Sequence, residues 1–129
     1  MTGEARERRT RVMVVEDHAD FRDLMEVLLS NQPDIKLVAQ AGSLAEARAH
    51  AATCEFDVAV LDLGLPDGDG VDLIADLRQA NPDVGVLILS ASLDPGGIEK
   101  ARREGADEIL DKLTPVAEVL ATVRRLGNG

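Results

Sequence analysis

The chain has 129 residues, enough for one domain that buries roughly two-thirds of its unfolded surface. Its formal net charge is −10, so its field opposes binding to nucleic-acid phosphates or anionic lipid. Aromatic residues make up 2%, Phe21 and Phe56 alone, which leaves an aliphatic core and almost nothing on which bases could stack. Direct nucleic-acid binding and membrane association are therefore not expected. A single cysteine, Cys54, excludes an intrachain disulfide and reads as a small apolar residue near a helix end. No apolar run approaches the ~20 residues of a membrane span, and no signal peptide opens the chain, so a cytoplasmic setting is expected.

Residues 1–10 lack periodic apolar positions and read as a flexible tail whose arginines are solvated. One domain is expected over 11–127. Val12-Met13-Val14-Val15 is a buried-strand run within 11–16. Phe21, Leu24, Met25 and Leu28 then recur at helical spacing, and Asn31-Gln32-Pro33 ends that helix. Ile35 to Ala39 is a second short strand. Ser43 and Glu46 form a capping box, each satisfying a backbone donor of the other, and open a second helix.

Asp57 to Leu63 is a third strand, and Pro66-Asp67-Gly68-Asp69-Gly70 a turn into a helix with Val71, Ile74 and Leu77 inward. Val84 to Leu89 is a fourth strand. Asp94-Pro95-Gly96-Gly97 follows, a costly helix start because of its two glycines, so the fourth helix is expected to begin late, near Ile98, or to be mobile. Glu108 to Leu110 is a short fifth strand. Thr114 as N-cap and Pro115 in the first turn then precede Val116, Val119, Leu120, Val123 and Leu126 on one helical face. Strands alternating with helices, and continuous apolarity in strands one, three and four, imply a parallel sheet covered on both faces. The expected fold is one flavodoxin-like, doubly wound α/β domain, with strand order 2-1-3-4-5 and five helices.

In such sheets ligands bind outside the carboxyl ends of the strands, at the switch in strand order. Strand one ends in Glu16-Asp17, strand three at Asp62 and strand four at Ser90, while Lys112 follows strand five. Three carboxylates on one rim repel one another, by on the order of 4 kcal/mol for a pair about 4 Å apart at an effective dielectric near 20. That cost favours a hard divalent cation with oxygen ligands, Mg²⁺ or Mn²⁺ in its place. A carboxylate can itself be a phosphoryl acceptor, with Lys112 and the Ser90 hydroxyl holding the phosphoryl oxygens.

Val-Val-Glu-Asp-His (14–18), Val-Leu-Asp-Leu-Gly-Leu-Pro-Asp-Gly-Asp-Gly (60–70), Ile-Leu-Ser-Ala (88–91) and Gly-Ala-Asp-Glu-Ile-Leu-Asp-Lys (105–112) resemble the receiver domain of two-component response regulators, in order and spacing over about residues 11–127. The resemblance is strongest to receivers that precede a helix-turn-helix output domain. It implies that Asp62 accepts a phosphoryl group from the phosphohistidine of a histidine kinase or phosphotransfer protein. It implies that Asp17, Asp62 and the backbone carbonyl of Gly64 bind Mg²⁺, with Glu16 acting through water. Ser90 and Lys112 would hold the phosphoryl group, Ser90 also reporting it by moving. An output domain or partner protein, and a homodimer through the face of helix 4, strand 5 and helix 5, are further implications.

Two positions depart from that family's pattern. Leu113 follows Lys112 where many receivers have a cis proline. Ile109 replaces the tyrosine or phenylalanine that usually serves as a switch three residues before the lysine, so any signal must travel by aliphatic repacking. Ile109 keeps open a pseudo-receiver, an interaction module that does not use phosphate. An aspartyl-nucleophile phosphatase of the haloacid dehalogenase type is a further rival. It would want a nucleophile and a second aspartate at the end of strand one, where Glu16-Asp17-His18-Ala19 stands. His18 reads as a rim residue and His50 as a solvated helix residue, both without metal-ligand company.

Overall fold

The structure, a computed structural model, describes residues 9–91 and 94–128. Its main sheet holds β1 (Thr10–Val15), β2 (Ile35–Ala41), β3 (Val58–Leu61), β4 (Gly85–Ser90) and β5 (Glu108–Asp111). All of its strand pairs are parallel and the order is 2-1-3-4-5, as expected. The helices are α1 (Ala19–Ser30), α2 (Leu44–Thr53), α3 (Leu73–Ala80), α4 (Pro95–Arg103) and α5 (Val116–Asn128). A short 3₁₀ turn, Gly70–Asp72, leads into α3. Most of the expected tail lies outside the described residues, but Thr10 belongs to the sheet, its N–H donating to the Asp34 carbonyl at 2.9 Å.

Continuous apolarity in the central strands does mean burial on both faces. Met13, Val15, Ala59, Leu61, Val86 and Ile88 face a core shared with α2, α3 and α4. Their alternates Val12, Val14, Val58, Val60, Leu87 and Leu89 face a second core shared with α1 and α5. At the far edge of the sheet Arg11 forks onto Asp57, whose carboxylate also accepts the Arg11 N–H at 2.8 Å.

Several local expectations need correction. In α1 the inward face is Met25 and Leu29, whereas Leu24 is 49% exposed; the same spacing fits two neighbouring stripes, and packing on β1 and β2 selects one. The capping box is half made. Ser43 Oγ accepts from the Glu46 N–H at 3.1 Å, but Glu46 Oε1 reaches past Ser43 to the Gly42 N–H at 2.7 Å. The fourth helix does not begin late: α4 starts at Pro95, with Asp94 capping the Gly97 N–H, and this cap with a first-turn proline offsets the two glycines. α5 starts at Val116, its first bonds accepted by the Pro115 carbonyl. No described peptide bond is cis, so Lys112–Leu113 is trans.

Candidate functional site

The parallel ladder carries the strand-end residues to one rim. The Glu16 N–H donates to the Ala41 carbonyl at 2.8 Å and the Asp62 N–H to the Val15 carbonyl at 2.9 Å, which extends the pairing of β1 with β2 through Glu16 and of β3 with β1 through Asp62. Glu16 is 2% exposed and Asp62 7%. Lys112, just past β5, spans them, with its Nζ 2.7 Å from Glu16 Oε1 and 3.4 Å from Asp62 Oδ2. The same ammonium stands 4.6 Å from the centre of the Phe21 ring, a favourable cation–π position. Asp62 Oδ1 accepts the Leu63 N–H at 2.8 Å.

These contacts pull the two acids in opposite directions. Burial pushes the Glu16 carboxyl up, but hydrogen bonds from Lys112 and His18 outweigh it and hold the group below its ordinary value. Burial and the Glu16 charge raise Asp62 above its ordinary value, against a smaller opposing effect of Lys112. Burial lowers Lys112, but Glu16 and Asp62 together raise it.

His18 has the acidic company that its sequence context does not reveal. Its Nδ1 lies 3.0 Å from Glu16 Oε2 and 3.3 Å from Asp17 Oδ1, and its backbone N–H also donates to Glu16 Oε2. These contacts raise its pKa, the Glu16 hydrogen bond first. Ligand atoms of Glu16, Asp17, His18 and Asp62 all lie within 4.8 Å of one another, an arrangement that could hold a metal ion. Three carboxylates make an oxygen-rich donor set, and this chemistry suits a hard divalent cation.

Gly64 lies two residues past Asp62 in a small antiparallel hairpin, where Gly64 pairs with Asp69 and Leu65 with Gly68. Gly70 closes this loop by donating to the Leu63 carbonyl at 2.7 Å. A Cβ at Gly70 would come within 2.2 Å of the Asp62 carbonyl oxygen, so the loop's path past Asp62 requires glycine. Ser90 ends β4, buried at 4% exposure, and its carbonyl accepts the Lys112 N–H at 3.0 Å. Ile109 pairs with Ile88 and is half-buried against the α2–α3–α4 core.

Three contributors escaped the sequence reading. Phe21, expected as core, supports Lys112. Arg22 donates to the Glu16 backbone carbonyl at 2.8 Å. Asp67, expected as turn chemistry, accepts the N–H groups of Leu44 and Ala45 at 2.8 and 3.0 Å, and these bonds lower its pKa. None of the three leaves a local signature, because each partner comes from another element.

A doubly wound domain with a buried acid cluster and one ammonium at its switch point defines the class. The chain belongs to the response regulator receiver domains, whose family profile matches residues 12–124. It is 36% identical over 119 residues to the DNA-binding transcriptional activator DevR/DosR of Mycobacterium tuberculosis, covering 92% of this chain and 55% of that protein. It is 38% identical over 115 residues to the KDP operon transcriptional regulatory protein KdpE of Escherichia coli, covering 89% and 50%. The chain thus spans about half the length of these curated relatives. Among solved structures, a response regulator protein from Burkholderia pseudomallei, with a phosphorylated aspartic acid, calcium ion and citrate, is 26% identical. It superposes with a TM-score of 0.81, covering 92% of this chain and 69% of that one. Among the described residues no helix is long and apolar enough to cross a membrane.

Proposed function

We propose that Asp62 accepts a phosphoryl group from the phosphohistidine of a histidine kinase or phosphotransfer protein, and that the acyl phosphate switches contacts with an output domain or partner protein. The observation that carries this reading is the buried Asp62 carboxylate, made more basic by burial and Glu16, with Lys112 3.4 Å away. A more basic carboxylate is a better nucleophile once ionised. One of its oxygens forms the new bond to phosphorus as the bond from phosphorus to the donor nitrogen breaks, the electron pair returning to the imidazole. Leu63 holds Oδ1 of the nucleophile, and Lys112 offsets charge on the phosphoryl oxygens. Ser90 donates its hydroxyl to one of them. Asp17, Asp62 and the Gly64 carbonyl are the candidate Mg²⁺ ligands, with Glu16 acting through water. The cation, when bound, supplies positive charge against the carboxylates and the incoming phosphoryl group.

The phosphorylated aspartic acid and calcium ion of the Burkholderia relative support this assignment. The chain is read as a switch that modifies itself, not as a turnover enzyme, in a cytoplasmic setting and without direct nucleic-acid contact of its own. Homodimerisation is assigned to the face of α4, β5 and α5. Incubation with acetyl phosphate and Mg²⁺ should leave one phosphoryl group per chain in the intact mass and none in Asp62→Asn. Sustained hydrolysis of many phosphoesters would instead mean a phosphatase. Partner binding indifferent to beryllofluoride would mean a pseudo-receiver.

A further inference from the structure

On the reading just given, two loops distant in sequence must present ligands to one cation: the turn after β1 with Glu16 and Asp17, and the hairpin after β3 with Asp62 and Gly64. The crossover from β2 to β3 passes over β1, so the chain enters α2 at the carboxyl edge of the sheet, beside both loops. The hairpin after β3 is bonded to that entrance, the segment 42–46, by one side chain, and the turn after β1 has one side chain packed against it.

On the β1 side, Arg22 donates to the Glu16 carbonyl at 2.8 Å. Its guanidinium lies against Gly42, where an added Cβ would sit 2.9 Å from Arg22 Nη1 and 3.2 Å from Glu46 Oε1. Glu46 Oε1 in turn accepts the Gly42 N–H. On the β3 side, Asp67 at the hairpin tip accepts the first two free N–H groups of α2, from Leu44 and Ala45. Gly68 lies so close to Leu44 that a Cβ there would come within 2.6 Å of Leu44 Cδ1. The next two N–H groups are taken within the chain's own turn, by Ser43 Oγ and the Ser43 carbonyl. The hairpin is cross-braced by its two strand pairs and the Gly70–Leu63 bond, so a shift at Asp67 carries Gly64 with it.

We propose that segment 42–46 is a frame that sets the gap between the two cation-binding loops, with Asp67 and Arg22 as positioning residues that act on the site without touching the cation. The frame explains why a solvent-exposed aspartate at a hairpin tip spends both carboxylate oxygens on a helix from elsewhere in the chain. It also explains why Arg22, beside a cluster of carboxylates, binds a backbone oxygen.

Calorimetric Mg²⁺ titration of the full chain tests this, with urea unfolding run in parallel. Asp67→Ala and Arg22→Ala should each bind Mg²⁺ about 10-fold more weakly, the lower end of the loss for residues that orient ligands from behind. Arg22→Lys, which keeps a donor in place, should recover most of that loss, and Asp67→Asn, which keeps one of the two acceptor oxygens, should recover part of it. Asp34→Ala removes an ion pair with Arg124 far from the site and serves as the stability control, with unchanged Mg²⁺ affinity. Wild-type affinity in Asp67→Ala, or an equal loss in Asp34→Ala, overturns the frame while leaving the functional reading intact. Absence of Mg²⁺ binding in the wild type overturns both.

Discussion

The rim at the ends of β1 and β3 and the edge formed by α4 and β5 are built on opposite principles. At the rim, charges are buried and clamped: Glu16 and Asp62 are nearly inaccessible and Lys112 bridges them. At the edge, all four residues of β5 are only half-buried, and α4 buries Ala101 alone. Its ion pairs, Arg125–Glu108 at 2.9 Å and Lys100–Asp69 at 3.5 Å, face solvent. A charge added at the rim therefore meets large, opposed electrostatic energies, whereas the edge can rearrange at small cost.

The largest effect expected is from Lys112→Ala. It strands two buried carboxylates that Lys112 bridged, and should cost about 3 kcal/mol in urea unfolding at neutral pH. Acid should restore part of that loss by protonating the stranded acids. A loss below about 1 kcal/mol would erase the contrast between rim and edge.

Asp62→Asn should act in the opposite sense, stabilising the cation-free chain at neutral pH, because burial and the Glu16 charge disfavour the ionised carboxylate. Asp62 sits above its ordinary 3.8, so the folded state holds this proton more tightly than the unfolded chain. Its contribution is therefore favourable below 3.8 and is lost as pH rises through the raised folded value. Glu16, held below its ordinary 4.5, gives the reverse: stability present above 4.5 and lost as pH falls through its lowered value. The advantage of Asp62→Asn should be near zero in strong acid and grow to a plateau by neutral pH. A constant offset across that range would show that the two acids do not oppose each other.

The same contrast explains what could be read from sequence. Strand-end position alone brings Glu16, Asp62 and Lys112 together, because a parallel sheet sends every strand's carboxyl end to one edge. The apolar runs of β1, β3 and β4 declare burial on both faces. Side-chain partnership across elements is not written locally. Lys112 lies nearer Glu16 than Asp62, His18 turns back onto Glu16, and Asp67 caps a helix that begins 23 positions earlier in the chain. Leu24 and Leu29 show the limit of periodicity, since adjacent stripes on one helix satisfy the same spacing. At α4, glycine propensity argued for a late start, and one capping carboxylate reversed it.

That cap offers a smaller test, on the edge side. Asp94→Ala removes the acceptor of the Gly97 N–H and should cost about 1 kcal/mol. Hydrogen exchange should quicken in α4 while α5 keeps its protection. Unchanged exchange in α4 would mean that packing through Ala101, not the cap, decides where this helix begins.

Smallest of all should be Arg125→Ala. Arg125 is 60% exposed and Glu108 32%, so their pair works in screened, high-dielectric surroundings and should contribute about 0.5 kcal/mol or less, fading in high salt. Phosphoryl incorporation from acetyl phosphate should stay within about two-fold of wild type, because nothing at the rim depends on this contact. Beryllofluoride-induced association, measured by sedimentation, is the more telling readout. If the face of α4, β5 and α5 is the dimer surface, removing one of its charges changes association without touching acceptance. A parallel loss of acceptance would instead couple edge to rim directly, and the division of labour between a stiff, charged rim and a soft edge would fail at its weakest contact.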